Sequence, residues 1–218
     1  MKKFELTSDF KMYLGTSDFK MYLGMKLFRI KALVDFGNVK AGDLGGYIEK
    51  EKNLSHNGNA WVSDNAWVYG DAWVYGDGQV YGNARVCGNA RVCSNARVFG
   101  NARVCGNAWV CGNAWVFGNA RVCGNAWVSG NARVYDNARV SGNADILQIT
   151  GLGTEHRPTT VFRAEDGIKV ACGCFLGDLG QFREQVKNTR TGKVQEEYLK
   201  FAELVEIYFG KEEERNVN

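Results

Sequence analysis

The sequence predicts a mainly β protein, a β-solenoid with a cap at each end, and three observations support this. From Gly58 to Leu147 the chain repeats a six-residue unit of the form G-N-A-R-V-C fifteen times without an insertion. Ala and Val stand two residues apart in these units, as at Ala84 and Val86, so on a strand both point to one side. The Gly-Asn pairs supply the residue types that most easily turn a corner. Each hexad is therefore predicted to be one short strand followed by a corner.

Stacking explains how such short strands become stable. A single hexad cannot bury its Val, but a coil of hexads stacks Val on Val at the strand spacing of about 4.8 Å and closes a dry core. Read from the inward Val, the unit V-C-G-N-A-R resembles the hexapeptide repeat of left-handed parallel β-helices, in which three hexads form a triangular coil. That resemblance implies the left hand and about five coils of 18 residues over residues 58–147.

The flanks add to the resemblance. AGDLGGYIE at 41–49, the GNARV coils, and VACGCF and GDLGQF between 170 and 182 together resemble uncharacterised hexapeptide-repeat proteins of bacteria and their phages. The resemblance covers most of the chain and implies no known activity.

Residues 1–57 are predicted to form an N-terminal cap. TSDFKMYLG occurs at 7–15 and again, identically, at 16–24, which we interpret as a recent duplication of which one copy is dispensable. Residues 26–33 alternate enough for a strand. Ile48 and Leu54 stand six apart but out of phase with Val62 by two residues, which is typical of an entry into the coils rather than of a coil.

Residues 148–218 are predicted to form a small α+β unit of two strands and two helices. The strands are expected at 159–163 and 168–172, and the helices at 178 to about 189 and at 193–209. The fifteenth hexad, 142–147, whose inward residue is Ile146, is expected to complete the last coil.

Outward residues 18 apart should stack into columns. One column, which we call the arginine ladder, places four like charges in line without an acidic residue among them, so we expect it to attract anions. A second, the aromatic stripe, should lie beside Trp115 and be covered by another subunit or by residues 178–209. The arginine ladder consists of Arg85, Arg103, Arg121 and Arg139, and the aromatic stripe of Tyr81, Phe99, Phe117 and Tyr135.

Both columns also have purely structural interpretations. The arginine ladder fits a solvated face whose guanidinium planes stack, and Arg97, Trp115 and Arg133 would stabilise one another by cation–π contacts.

The cysteines predict no metal site in the coils. Cys87, Cys105 and Cys123 fall in one straight column, so their sulfurs do not converge on a tetrahedral metal. Cys172 and Cys174 precede a predicted helix, where thiols can bind metal or cycle between redox states, but we prefer a structural turn as the explanation of a single C-x-C.

The chain offers little for catalysis. Left-handed hexapeptide helices include acyltransferases, which use a His base and usually a loop extruded from the coils. Here the two histidines, His56 and His156, flank the coils, and no coil carries an insertion. We therefore expect no enzyme activity, catalytic residue or cofactor.

The sequence thus favours a non-enzymatic binding protein. A protein partner is expected, and the resemblance leaves room for a phage- or prophage-encoded antagonist of a host enzyme or defence complex. The alternatives are a nucleic-acid binder acting through the arginine ladder and, less simply, an acyltransferase. A net charge of +3, no long apolar segment and reduced thiols favour a cytoplasmic protein that does not enter membranes. A homodimer or homotrimer is compatible with the resemblance.

Overall fold

The computed structural model describes residues 1–17 and 20–215 and shows a parallel β-solenoid of about five turns. Three strands precede the regular coils: β1 (Phe4–Ser17), β2 (Lys20–Ala32) and β3 (Leu44–Ile48). Fourteen two-residue strands then follow, six residues apart. They are β4 (Trp61–Val62), β5 (Trp67–Val68), β6 (Trp73–Val74), β7 (Gln79–Val80), β8 (Arg85–Val86), β9 (Arg91–Val92), β10 (Arg97–Val98), β11 (Arg103–Val104), β12 (Trp109–Val110), β13 (Trp115–Val116), β14 (Arg121–Val122), β15 (Trp127–Val128), β16 (Arg133–Val134) and β17 (Arg139–Val140).

Every third strand belongs to the same parallel sheet, so the prism has three faces. The first face holds β4, β7, β10, β13 and β16, the second β5, β8, β11, β14 and β17, and the third β6, β9, β12 and β15. Val104 pairs in register with Val86 and Val122, which confirms the predicted repeat of 18 residues per coil. The side chains of these three valines are fully buried. The core is thus a stack of Ala and Val columns, as the hexad pattern predicts.

Glycine is required at the corners for a steric reason. Gly88 has a φ of +69°, and a Cβ added there would lie 3.0 Å from the backbone N of Gly106 in the next coil. Three hexads nevertheless place another residue at this corner, and Asp64, Ser94 and Asp136 adopt the same left-handed conformation with φ between 54° and 58°. Asp tolerates this region better than most residues, since its short polar side chain bonds locally.

Asparagine side chains form a second set of columns, which the sequence analysis missed. Along each corner the amide Nδ2 of one Asn donates to Oδ1 of the Asn in the next coil, at 3.0–3.4 Å. The signal was present, because Asn occupies the second position of every hexad from 83 to 137. The three asparagine ladders are Asn83–Asn101–Asn119–Asn137, Asn89–Asn107–Asn125 and Asn95–Asn113–Asn131.

The N-terminal strands cover the first coil. β1 and β2 form a long antiparallel hairpin in which residues 10–13 of the first TSDFKMYLG copy pair with residues 25–28, and the second copy forms the end of the hairpin, although Asp18 and Phe19 lie outside the described residues. β3 pairs parallel with β5, and Leu54 bridges to Val74, so Ile48 and Leu54 continue the inward columns. That one copy is dispensable stays a prediction.

Lys3 anchors this end of the molecule. Its Nζ donates to the carbonyl oxygens of Gly58 (3.2 Å) and Ala60 (2.9 Å). Burial lowers the pKa of Lys3 to about 8, against the opposing charge of Asp77.

The C-terminal unit has four strands, two more than predicted, and two helices. The strands form one antiparallel sheet, and both helices pack against it. No helix in the described part of the chain is long and apolar enough to cross a membrane. The elements are β18 (Ile146–Leu152), β19 (Arg157–Ala164), β20 (Gly167–Cys172), β21 (Phe175–Asp178), α1 (Leu179–Thr189) and α2 (Gly192–Arg215).

The helix start was predicted correctly because its cap is local. Gln181 N donates to Asp178 Oδ1 at 2.8 Å, and Asp178 N donates to Gln181 Oε1 at 3.0 Å. This reciprocal pair satisfies two backbone groups at the beginning of α1.

The fifteenth hexad does not complete the last coil, contrary to the prediction. Asp145 stands where other hexads carry Arg, Trp or Gln, and its Oδ2 accepts from the backbone N of Ser141 (2.7 Å) and Gly142 (3.1 Å). Its Oδ1 lies 3.1 Å from Arg163 Nε. These bonds hold residues 143–145 in a 3-10 turn, so Ile146 begins β18 instead of a coil strand.

Side chains and β19 close the C-terminal edge of the coils. The backbone N of Trp127 donates to Asn143 Oδ1 (2.8 Å), and that of Arg133 donates to Thr160 Oγ1 (3.2 Å). Ala138 forms an antiparallel bridge with Ala164. The C-terminal unit is therefore hydrogen-bonded to the last coil.

We expect Val104→Asp to unfold the solenoid. The substitution places an unpaired carboxylate in a dry core and removes a Val that packs against two neighbouring coils, which should cost about 3 kcal/mol or more of unfolding free energy. Thermal denaturation followed by circular dichroism measures this. Arg103→Asp, one residue away on the outer side, is the control and should melt close to the parent. Equal melting temperatures for the two variants would contradict the assignment of inward and outward columns.

Candidate binding surface on the solenoid

The arginine ladder has the predicted geometry. Arg103 pairs in register with Arg85 and Arg121, and Arg121 with Arg139, so the four side chains form one outward column on the second face. Its two ends are held by neighbours. The Arg85 guanidinium lies 4.5 Å from the centre of the Trp67 ring, and Arg139 forms an ion pair with Glu165 of the C-terminal unit.

The expectation that the ladder has no internal counter-charge is therefore wrong at Arg139. No sequence pattern indicates this pair, because Glu165 lies 26 residues away on the turn between β19 and β20. Arg103 and Arg121 are exposed, and neither has an acidic partner among the residues that the structure describes. The middle of the ladder is its accessible part.

The middle coils as a whole are positively charged. Residues 78–135 contain no Asp or Glu, and the acidic residues of the coils stand at either end of this stretch. Because successive hexads lie on successive faces, the charges encircle the prism. The six arginines of this belt are Arg85, Arg91, Arg97, Arg103, Arg121 and Arg133.

The aromatic stripe forms a continuous stack. Tyr81, Phe99, Phe117 and Tyr135 have ring centroids 4.8, 4.9 and 4.6 Å apart in succession and are parallel within 5°. All four side chains are half-buried. Burial raises the pKa of Tyr81 and of Tyr135, although nearby arginines oppose the shift.

Of the two predicted covers of this stripe, the one by residues 178–209 is wrong, whereas cover by another subunit stays a prediction. Helices α1 and α2 bury their apolar side chains, such as Phe182 and Phe201, against the C-terminal sheet instead. Because the apolar faces of α1 and α2 pack against the C-terminal sheet, these helices do not cover the aromatic stripe. At one end of the stripe Tyr135 contacts Phe162, with ring centroids 6.1 Å apart.

The stripe and the ladder are neighbours around one corner. Phe99 and Arg103 are four residues apart, and Asn101, a member of an asparagine ladder, stands between them.

On the side of the stripe away from the ladder, the Phe99 and Trp115 rings meet edge-on, with centroids 6.1 Å apart. Trp115 in turn lies between the guanidinium groups of Arg97 (5.3 Å) and Arg133 (5.2 Å), the predicted cation–π arrangement. All the sequence-predicted site residues therefore belong to one continuous surface.

The thiols follow the columns as well. Cys87, Cys105 and Cys123 lie along the second face, and Cys123 Sγ is 3.4 Å from Ser141 Oγ. On the third face, Trp127 Nε1 donates to Cys111 Sγ at 3.1 Å. Within the described residues no three metal-binding side chains come together.

Cys87 differs chemically from its neighbour. The pKa of Cys87 is lowered to about 7, first by hydrogen bonding from Cys105, then by Tyr69 and the charges of Arg103 and Arg85, against the effect of burial. The same contact and burial raise the pKa of Cys105.

Cys172 and Cys174 lie at the hairpin between β20 and β21. Thr159 Oγ1 donates to Cys172 Sγ at 3.2 Å, and Cys174 is exposed. Both line a cavity of about 300 Å³ together with Tyr198 and Phe182. The C-x-C motif thus forms a turn at the edge of a cavity.

His56 takes part in the N-terminal packing. Its ring stacks on Phe4 at 4.3 Å, its Nδ1 accepts from the backbone N of Lys3 (3.1 Å), and its Nε2 lies 2.7 Å from Glu51 Oε1. Since Nδ1 accepts, Nε2 carries the proton and donates to Glu51. His156 sits on a turn with its Nδ1 3.2 Å from the carbonyl oxygen of Gly151.

We expect Cys87 to be alkylated faster than Cys105 at neutral pH, because the thiolate is the reactive form and the pKa of Cys87 is about 7. Iodoacetamide labelling between pH 6 and 9, read by peptide mass spectrometry, measures both sites in one sample. The rate at Cys87 should reach half its maximum near pH 7. Labelling of Cys105 with the same pH dependence would contradict the assignment.

Comparison with known proteins supports the repeat architecture. Segments 79–94, 96–112, 114–130, 120–134 and 132–144 match the family model described as the YdcK beta solenoid repeat. A search of curated proteins finds no match to this chain. The matched segments cover less than half of the chain and extend from β7 of the coils to the 3-10 turn at 143–145. The chain therefore contains a β-solenoid repeat similar to that of YdcK.

Proposed function

We propose that this protein is a non-enzymatic binding protein and that the surface made of the arginine ladder and the aromatic stripe binds an acidic surface of another protein. The observation that carries the proposal is the pair Arg103 and Arg121, exposed, in register and without an acidic partner in the described part of the chain. The stripe, next to them around the corner, adds an apolar contact area.

Electrostatics supports an anionic partner. Guanidinium groups at strand spacing, about 4.8 Å, repel one another by about 1 kcal/mol per neighbouring pair even in water. A partner that brings carboxylates relieves this repulsion and gains charge-assisted hydrogen bonds. The positive belt over residues 78–135 also speeds the encounter with an acidic surface.

The geometry of the stripe favours protein over nucleic acid. Binders of single-stranded nucleic acid stack bases on the faces of aromatic rings. Here the inner rings, Phe99 and Phe117, already stack on both sides at 4.6–4.9 Å, so their faces are occupied and their edges remain. Ring edges and Arg are typical of protein interfaces.

His56 speaks against an acyltransferase. A general base needs a free nitrogen within hydrogen-bond reach of its substrate. Both ring nitrogens of His56 are engaged, by Lys3 N and by Glu51 Oε1.

A narrower proposal concerns the biological setting. An antagonist of a host enzyme or defence complex, encoded by a phage or prophage and acting in the cytoplasm, fits a rigid capped prism with a basic and aromatic surface. It rests on the resemblance of the hexads and flanks to such bacterial and phage proteins. A homodimer or homotrimer is compatible with the same surface.

The double variant Arg103→Ser with Arg121→Ser tests the proposal. It should keep the fold, because every inward side chain is unchanged, and its stability should hold or rise. Its affinity for labelled polyglutamate, and for proteins captured from the native host, should fall at least about tenfold, since charge-assisted bonds each contribute about 1.5–3 kcal/mol. The control, Arg91→Ser with Arg97→Ser, removes the same charge from the other two faces and should lose much less.

Salt titration with a short DNA duplex separates the two kinds of partner. Binding to DNA that exceeds binding to polyglutamate and falls steeply with salt would favour the nucleic-acid alternative. Equal losses in the double variant and its control would contradict a specific role of the arginine ladder.

A further inference from the structure

A cleft separate from the ladder lies where the C-terminal unit meets the first face. It has a volume of about 460 Å³ and is lined by Trp115 and Arg133 of the coils and by Arg157 and Pro158 of β19. Its walls are fixed relative to each other, because Arg133 N donates to Thr160 Oγ1 at 3.2 Å. The shape of the cleft is thus set by the interface between the coils and the C-terminal sheet.

Two arginines, Arg133 and Arg157, line this cleft. Arg133 is exposed and rests on the Trp115 ring at 5.2 Å, and it forms no ion pair among the described residues. Arg157 lies 4.0 Å from Glu155 Oε2, the outer limit of an ion pair, and that carboxylate is well exposed. Both arginines therefore keep most of their donor capacity for a ligand.

The position of Arg157 is also constrained. Gly173 has a φ of +61°, and a Cβ added there would lie 3.0 Å from Arg157 Nη1. The bare backbone of this turn lets the guanidinium lie against it. A side chain held in this way loses less conformational entropy when it binds a ligand.

Neutral donors complete the lining. Asn131 ends its asparagine ladder: its Oδ1 accepts from Asn113 at 3.1 Å, and its own Nδ2 has no acceptor among the described residues. Thr160 is 2% exposed, its Oγ1 accepts from Arg133 N, and the hydroxyl proton likewise has no acceptor among the described residues. The cleft therefore presents donors in excess of acceptors.

We propose that this cleft binds the phosphoryl group of a small molecule. Two guanidinium forks, an amide and a hydroxyl offer more donors than the two oxygens of a carboxylate can accept, whereas a phosphate monoester presents three acceptor oxygens. Trp115, Pro158 and Ala171 leave apolar surface for an organic portion. The site goes beyond the proposed protein-binding function, since it uses neither Arg103 nor Arg121.

Calorimetric titration with inorganic phosphate and with phenyl phosphate, at constant ionic strength set by sodium chloride, tests this. Saturable binding of at least one probe is expected. Tighter binding of phenyl phosphate assigns the site to an organic phosphate, and equal binding assigns it to the free anion. Absence of saturable binding by either probe overturns the proposal.

Variants locate the site. Arg133→Gln and Arg157→Gln should each weaken binding about tenfold or more, whereas Arg91→Gln, the same change on the third face, should not. Arg157→Lys keeps the charge but loses the planar fork and should also weaken binding, which keeps the test decisive if a Gln variant fails to fold. An equal loss in Arg91→Gln would overturn the proposal in favour of diffuse attraction.

Arg103→Ser with Arg121→Ser should bind phosphate normally, which separates this site from the proposed partner surface.

Discussion

The 18-residue register between coils is the constraint on which the rest of the structure depends. A two-residue strand such as β11 has almost no stability of its own, and it is held because Val104 packs between Val86 and Val122 while backbone bonds join each coil to the next. Once that register is set, every outward position is set with it. The surface columns are a consequence of the core, not a separate feature.

Each column stacks one type of side chain on itself, and whether this stabilises or destabilises the fold depends on the column. Asn on Asn gains a hydrogen bond at 3.0–3.4 Å, and Phe99 on Phe117 gains ring contact at 4.9 Å. Stacking Arg103 on Arg121 instead brings two positive charges together, which repel each other. The asparagine and aromatic columns therefore contribute to the stability of the prism, whereas the middle of the arginine ladder opposes it. This contrast is why we propose the ladder, and not the other columns, as the surface that recognises an anion.

Sequence reasoning succeeded where one residue type repeats and failed where a single residue interrupts the pattern. The period of Val and Ala was enough for the coils, and Asp178 with Gln181 was enough for the start of α1. The prediction that the last hexad completes a coil is wrong, because Asp145 accepts hydrogen bonds from Ser141 and Gly142 that its position in the hexad does not suggest. The Arg139–Glu165 pair and the Arg133–Arg157 cleft join residues distant in sequence, so they follow only from the way β19 crosses the coils.

The closed C-terminal edge affects how the molecule behaves in solution. A stack of parallel strands ends in unpaired N–H and C=O groups, which invite a second copy to add to the stack and to continue it as a fibre. Here side-chain oxygens of Asn143 and Thr160 occupy the N–H groups of Trp127 and Arg133, and β19 bridges Ala138 in the opposite direction. A neighbouring solenoid therefore finds no continuous template at these positions. We therefore expect the irregular last hexad and β19 together to hinder end-to-end aggregation.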